Sequence, residues 1–344
     1  MKKRISSAGV HRWRPRLVIA ALALATTVLA GCAAPSSPSM SGGAKEPVKL
    51  GIVGFSAADA TLNKTAQAVV KLAKELGWQT DYQAANPAGD AASANSLMNV
   101  MLTKGSTVLL TLAFDTDTLG VGIAAAKSKG VPVLAMSAGK LSANVVWASN
   151  VGYVPDMATK IKGDYADAKK VEVLNLTYLL ATPGQGRNQL IQEIAKQDPK
   201  FSLTDKDVAI PGAVQSGRDY TVAWLAAHPP QAGVDLAIYA VFDQPAEGAV
   251  AALKQANRKD VAIYSYDATP AGLQLVKDGY IAADIQNGRL QQAKQAIAAL
   301  QRVVAGTLTI AKPELVPAAF SLVTTENVAQ YEKDFPAAFT EEGV

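Results

Sequence analysis

From Val48 onward, short apolar runs alternate with longer segments whose apolar residues recur at helical spacing. Few architectures accept that order. "VKLGIVG" reads as a strand, and "TLNKTAQAVVKLAKELG" follows it with Leu62, Ala66, Val69, Val70 and Leu76 near one helical face and Gly77 at a helix stop. Strand "QTDYQA", helix "DAASANSLMNVMLTKG", strand "STVLLTL", helix "TLGVGIAAAKSKG" and strand "VPVLAM" continue the rhythm. After a further strand, "NVVWASN", it restarts. "VEVLNL", "DVAIPG", "DLAIYAVF", "VAIYSYD" and "YIAADIQ" read as strands, and each precedes a helical segment, the last being "RLQQAKQAIAALQRVVAG". Repeated β-α-β order gives a parallel sheet with helices on both faces. The restart predicts an α/β protein of two similar Rossmann-like domains.

The segment before Val48 has a different character. Lys2, Lys3, Arg4, Arg12, Arg14 and Arg16 precede the uncharged run Leu17 to Ala30. Fourteen residues fall short of the ~20 that span a bilayer. A basic region, a short apolar stretch and small residues describe a secretory signal over 1–31. The run ends Leu29-Ala30-Gly31-Cys32, which resembles the lipobox of bacterial lipoproteins. That resemblance implies cleavage before Cys32, the only cysteine, and its acylation. Residues 32–47, rich in Ser, Pro and Gly, read as a flexible lipidated tether. Loss of the six basic residues changes a formal charge of +4 into 27 basic against 29 acidic side chains, or −2. A chain without basic excess is not expected to bind nucleic acid.

In open parallel sheets, ligands bind outside the carboxyl ends of the strands. The residues after each strand are therefore the candidates: Asp59, Asp115, Ser137, Gln185, Arg187, Gln215, Phe242, Asp243, Asp267 and Asn287. Carboxylates and amides pair with vicinal hydroxyls, and ring faces cover C–H faces, so this set suits a hydroxyl-rich ligand. Asp59, Asp115 and Ser137 equally suit capping of the next helix.

Several stretches resemble the ribose- and galactose-type periplasmic binding proteins, the solute receptors of ABC importers. They are "KGVPVLAMS", "AVFDQPAEGAVAALKQA", "YSYDATPAGLQLVKDGYIAADIQN" and "VPAAFSLVTTENVAQY", and together they cover about residues 48–335. The resemblance implies the type I periplasmic binding fold, with a ligand cleft between two domains joined by a three-strand hinge. Its domains would be 48–148 plus 286–310 and 149–285 plus 311–344, with crossings near Asn150, Asn287 and Ala311. Carried over one at a time, Asp267 takes the place of the family's hydroxyl-binding aspartate, and Asn287 that of a hinge-side glutamine. Phe242 and Asp243 replace an Asn-Asp pair, and Arg187 or Gln185 falls near a ligand-binding arginine. Ser137-Ala138 stands where the family often has Asp-Arg, and "GFSAADATL" lacks paired aromatics beyond Phe55. These departures point from an ordinary pentose toward a polyol, a modified sugar or another small polar solute. Replacing Asp267 with Ala is expected to weaken binding while leaving folding intact. The implied partners are ABC permease subunits and, through the lipid, the outer face of the cell membrane or the periplasm, with the protein a monomer.

Enzymatic chemistry has little material. Of two histidines, His11 leaves with the signal, and His228 precedes Pro229-Pro230 at a helix end. "AMSAG" lacks the first glycine of a nucleophile elbow, and "TPGQGRN" lacks phosphate-loop or dinucleotide spacing. No His cluster or Cys pair suggests a metal, and no cofactor is expected. The alternatives are a sensory lipoprotein serving a chemoreceptor or sensor kinase, and a nucleoside receptor, which needs more aromatic stacking. The export signal argues against a repressor of the same fold.

Overall fold

The computed structural model describes residues 47–340, apart from 151, 153 and 319. The expected signal, Cys32 and nearly all of the tether lie outside the described residues. The first lobe runs β1 (Lys49–Gly54), α1 (Ala60–Glu75), β2 (Gln79–Ala84), α2 (Ala91–Thr103), β3 (Val108–Leu112), a 3-10 turn (Thr116–Leu119), α3 (Gly120–Ser128), β4 (Val133–Met136) and β5 (Val145–Asn150). The second runs α4 (Pro155–Asp164), β6 (Val171–Thr177), α5 (Thr182–Gln197), β7 (Phe201–Asp207), α6 (Ala213–Ala227), β8 (Asp235–Ala240), α7 (Asp243–Gln255), β9 (Val261–Tyr266), α8 (Pro270–Lys277) and β10 (Ala283–Gln286). The chain then returns through α9 (Arg289–Val304) and β11 (Glu314–Pro317), and ends with β12 (Ser321–Thr324), α10 (Val328–Asp334) and a 3-10 turn (Pro336–Phe339).

Two six-stranded sheets result, in the orders β2-β1-β3-β4-β5-β11 and β7-β6-β8-β9-β10-β12. The second repeats the first strand for strand. Pairing is parallel throughout except β10 with β12. The central strands β3 and β4 are buried along their whole length, as sheets covered on both faces require. On one face of the first sheet, Ala66, Val69 and Ala73 of α1 join Ala293, Ala296 and Leu300 of α9 in a core over Ile52 and Leu110. Burying those side chains draws α9 back across the molecule, at roughly 25 cal/mol per Å² of apolar surface removed from water.

Three expectations need correction. β11 pairs with β5 in the first sheet, so Glu314–Pro317 does not follow β12 into the second lobe, and the third crossing falls after Pro317 rather than near Ala311. β7 occupies Phe201–Asp207, not "DVAIPG". It is an edge strand with a largely polar, half-exposed pattern, and the more apolar run after it is a loop. α5 starts at Thr182, four residues before the segment "GRNQLIQEIAKQ" whose spacing predicts a helix, because Pro183 suits the first helical turn.

Candidate functional site

In each sheet the first strand of the lobe, β1 or β6, lies between β2 or β7 and β3 or β8. Chain order reverses there, and a crevice opens at the strands' carboxyl ends. One cavity, of about 40 Å³, lies where the two sets of tips face each other. Asp59, Thr61, Leu62 and Thr65 at the start of α1, and Ser137 after β4, form the first wall. Tyr178 after β6, Pro183, Gly184 and Arg187 of α5, Phe242 after β8 and Asp267 after β9 form the second. Asn287, Arg289 and Gln292 close it at a crossing segment.

Asp267 organises the second wall. Its backbone holds φ at +96°, a conformation that is costly for a residue with a Cβ and collects at binding sites. Its N–H donates to the Ile285 carbonyl at 2.8 Å, and its own carbonyl accepts from Arg289 Nη1 at 3.1 Å. Its Oδ1 accepts from Arg187 Nη2 at 2.8 Å and from Asn287 Nδ2. Arg187 is buried. Its Nη1 donates to the Val241 carbonyl, and its guanidinium lies 4.8 Å from the Tyr266 ring centroid. The Arg187–Asp267 ion pair corrects the expectation that Asp267→Ala leaves the fold undisturbed. Removing the carboxylate strands a buried guanidinium, which destabilises on the order of 3–5 kcal/mol.

α5 carries Arg187 into place because it starts against β6. A Cβ on Gly184 would lie 1.9 Å from the Tyr178 carbonyl oxygen, so only glycine allows that approach. Tyr178 in turn meets Phe55 of the first lobe edge-on at 6.0 Å between centroids, and Phe242 at 6.3 Å. The Thr182 N–H donates to the Ala113 carbonyl at 3.2 Å, a second contact between the lobes.

Asp59 fits both readings of a strand tip. Its Oδ1 accepts from the Leu62 N–H at 2.9 Å, capping α1, and the residue lines the cavity. Burial pushes its carboxyl up to about 6, the charge of Asp267 adds to the rise, and Arg187 opposes it. Ser137 sits at φ +57°, lines the cavity, and donates its N–H to Ser149 Oγ.

Of the ten candidate residues, Asp59, Ser137, Arg187, Phe242, Asp267 and Asn287 meet at this cavity. The other four do not line it. Asp243 is buried behind it, where its carboxylate accepts from Ser265 Oγ and from the backbone and hydroxyl of Thr269. The Asp284 carboxyl is held well above its ordinary range by burial and by the charge of Asp243. Gln185 donates to the Leu179 carbonyl and, with Asp115, lines a separate cavity beside Gly152. Asp115 caps the 3-10 turn and pairs with Lys140 at 3.4 Å. Gln215 is exposed on α6 and bonds Asp219. Sequence reasoning missed Tyr178, Arg289 and Gln292. Tyr178 directly follows β6 and was legible by the strand-tip rule; the other two sit on a helix that belongs to the opposite lobe. His228 stacks on Trp224 at 4.5 Å, away from the cavity. No group of three metal-ligating side chains occurs among the described residues, and no helix there is long and apolar enough to cross a membrane.

Two repeated α/β lobes with converging strand tips define a bilobal ligand-binding protein. A family model for the periplasmic binding protein domain matches residues 50–308. The chain is 30% identical over 283 residues to a ribose import binding protein of Haemophilus influenzae, covering 76% of this chain and 86% of that one. It is 28% identical over 240 residues to a ribose import binding protein of Salmonella typhimurium, covering 66% and 74%. Among solved structures, an ABC transporter solute binding protein from Agrobacterium vitis with bound allitol superposes with a TM-score of 0.71 at 22% identity, over 84% of this chain and 99% of that one. The chain belongs to the periplasmic binding protein family, of the type I, sugar-binding kind. Members work outside the cytoplasm and bind solutes for transport rather than transforming them.

Proposed function

We propose that this protein is the solute receptor of an ABC importer and binds a sugar, polyol or related small polar solute between its lobes. The observation that carries this reading is the Asp267 cluster. A buried carboxylate, fixed by Arg187 and Asn287, faces a cavity also lined by Phe242 and, from the other lobe, by Asp59 and Ser137. Such a set accepts hydrogen bonds from hydroxyls and covers a C–H face with a ring. Solute touching both walls favours the closed arrangement by its difference in affinity for the two forms, and a permease then reads the closed shape. The relatives' ligands, ribose and allitol, are of this class. Lipidation at Cys32 belongs to the same proposal, supported by "LAGC" after an apolar run.

A thermal-shift screen against sugars, polyols and nucleosides tests it. At a hundredfold excess over Kd, a true ligand stabilises the folded form by about 2.7 kcal/mol. Sugars or polyols should raise the melting temperature. Response to nucleosides alone, or to no compound, contradicts the proposal.

A further inference from the structure

Two guanidiniums, of Arg187 and Arg289, and two carboxyls, of Asp59 and Asp267, line the cavity. Arg187 and Arg289 both line it and are only 4% and 3% exposed. Each has one buried Nε–H with no acceptor among the described residues. Arg187 is paired with Asp267. Arg289 gives Nη1 to a neutral carbonyl, that of Asp267, and forms no ion pair among the described residues. That buried guanidinium has no carboxylate at ion-pair distance among the described residues, although the Asp59 and Asp267 carboxyls line the same cavity. The start of α5 adds to the same wall. This 16-residue helix follows Ala181, which supplies no side-chain cap, and Pro183 and Gly184 in its first turn line the cavity. Of the first-turn N–H groups, that of Thr182 is taken by the Ala113 carbonyl and that of Gln185 by the Ala181 carbonyl, and Pro183 has none, which leaves the Gly184 N–H, and the helix dipole there attracts anions.

We propose that the solute carries an acidic group, seated among Arg289, Arg187 and the start of α5, while its hydroxyls meet Asp267 and Asn287. This deepens the receptor reading and rests on it. The shared chemistry is a compact oxyanion on a polyhydroxylated chain, as in sugar acids (carboxylate) and sugar phosphates. Asp59 on the opposite wall, bonded to the α1 N–H of Leu62, repels that oxyanion and fixes which way round the solute lies.

Calorimetric titration with matched sets is the test: ribitol, D-ribonate and ribitol 5-phosphate; galactitol, D-galactonate and galactitol 1-phosphate. At least one acidic member should bind about tenfold tighter than its neutral counterpart, and whether carboxylate or phosphate leads identifies the oxyanion. In Arg289→Gln the ratio of acidic to neutral affinity should fall toward one, whatever happens to affinity overall, and Arg289→Lys should restore part of it. Neutral members that bind as tightly as the acidic ones overturn the inference and leave the receptor reading standing. Failure of every member, acidic and neutral, counts against both.

Discussion

Asp267 combines three unusual conditions: positive φ, burial, and a carboxylate oxygen shared by a guanidinium and an amide. Substitution therefore acts on two quantities. Asp267→Asn keeps shape and an acceptor but removes the charge. Hydrogen bonds to charged groups contribute about 1.5–3 kcal/mol, so affinity for a screened ligand should drop about ten- to a hundredfold by calorimetry. The melting temperature should fall as well, because Arg187 loses its counter-charge. Lost affinity at an unchanged melting temperature would contradict the supporting role given to the ion pair. Unchanged affinity would remove Asp267 from the site. The residue was legible in sequence, since it ends a strand in "YSYDATP". Its pairing with Arg187, 80 positions away, was not, because local sequence carries no record of which tips converge.

α7, β9 and β10 form the support behind the cavity, and their acids respond to pH. Burial and the charge of Asp243, at the start of α7, hold the Asp284 carboxyl on β10 well above its ordinary range, and Glu247 one turn along α7 is pushed up to about 7 from an ordinary 4.5, by burial first and by Asp243 second. The folded form thus holds a proton on Glu247 that the unfolded chain has released. Stability conferred by that proton is present below about pH 4.5 and lost as pH rises toward 7. Asp59 acts in the same direction up to about 6. Denaturant unfolding of Glu247→Gln should show a flatter fall in stability between pH 5 and 7 than the parent; parallel curves would contradict the assignment. Among the elements, the alternation exposed nearly every strand and helix of both sheets. β7 escaped because an edge strand is half solvated and need not be apolar. α4 was passed over because "PDMATKIKGD" buries only Met157 and Ile161, too few for a strong helical stripe.

From β1 onward one supersecondary plan is used twice, and the chain passes between the lobes after β5, after β10 and after β11. The lobes touch through Phe55 and Tyr178 and through the Thr182–Ala113 hydrogen bond, so the cavity exists only while they are together. Two similar lobes were legible from the restart of the rhythm after "NVVWASN". The path of the tail was not, because β11 is four residues long with alternating exposure and its partner β5 lies in the other half of the chain. Six of the ten candidate residues converge on the cavity because strand ends aim at the crevice. The other four bond to their own neighbourhood, where Asp and Gln serve as well as they would in a cleft. The central claim is that solute sits between the tips, and a crystal structure of the protein with the tightest ligand from the screen tests it most directly. The account predicts ligand oxygens within hydrogen-bonding distance of Asp267 and Asn287, with Phe242 against the carbon chain. Ligand bound outside the cavity between the lobes, or chemically altered within it, would contradict the account.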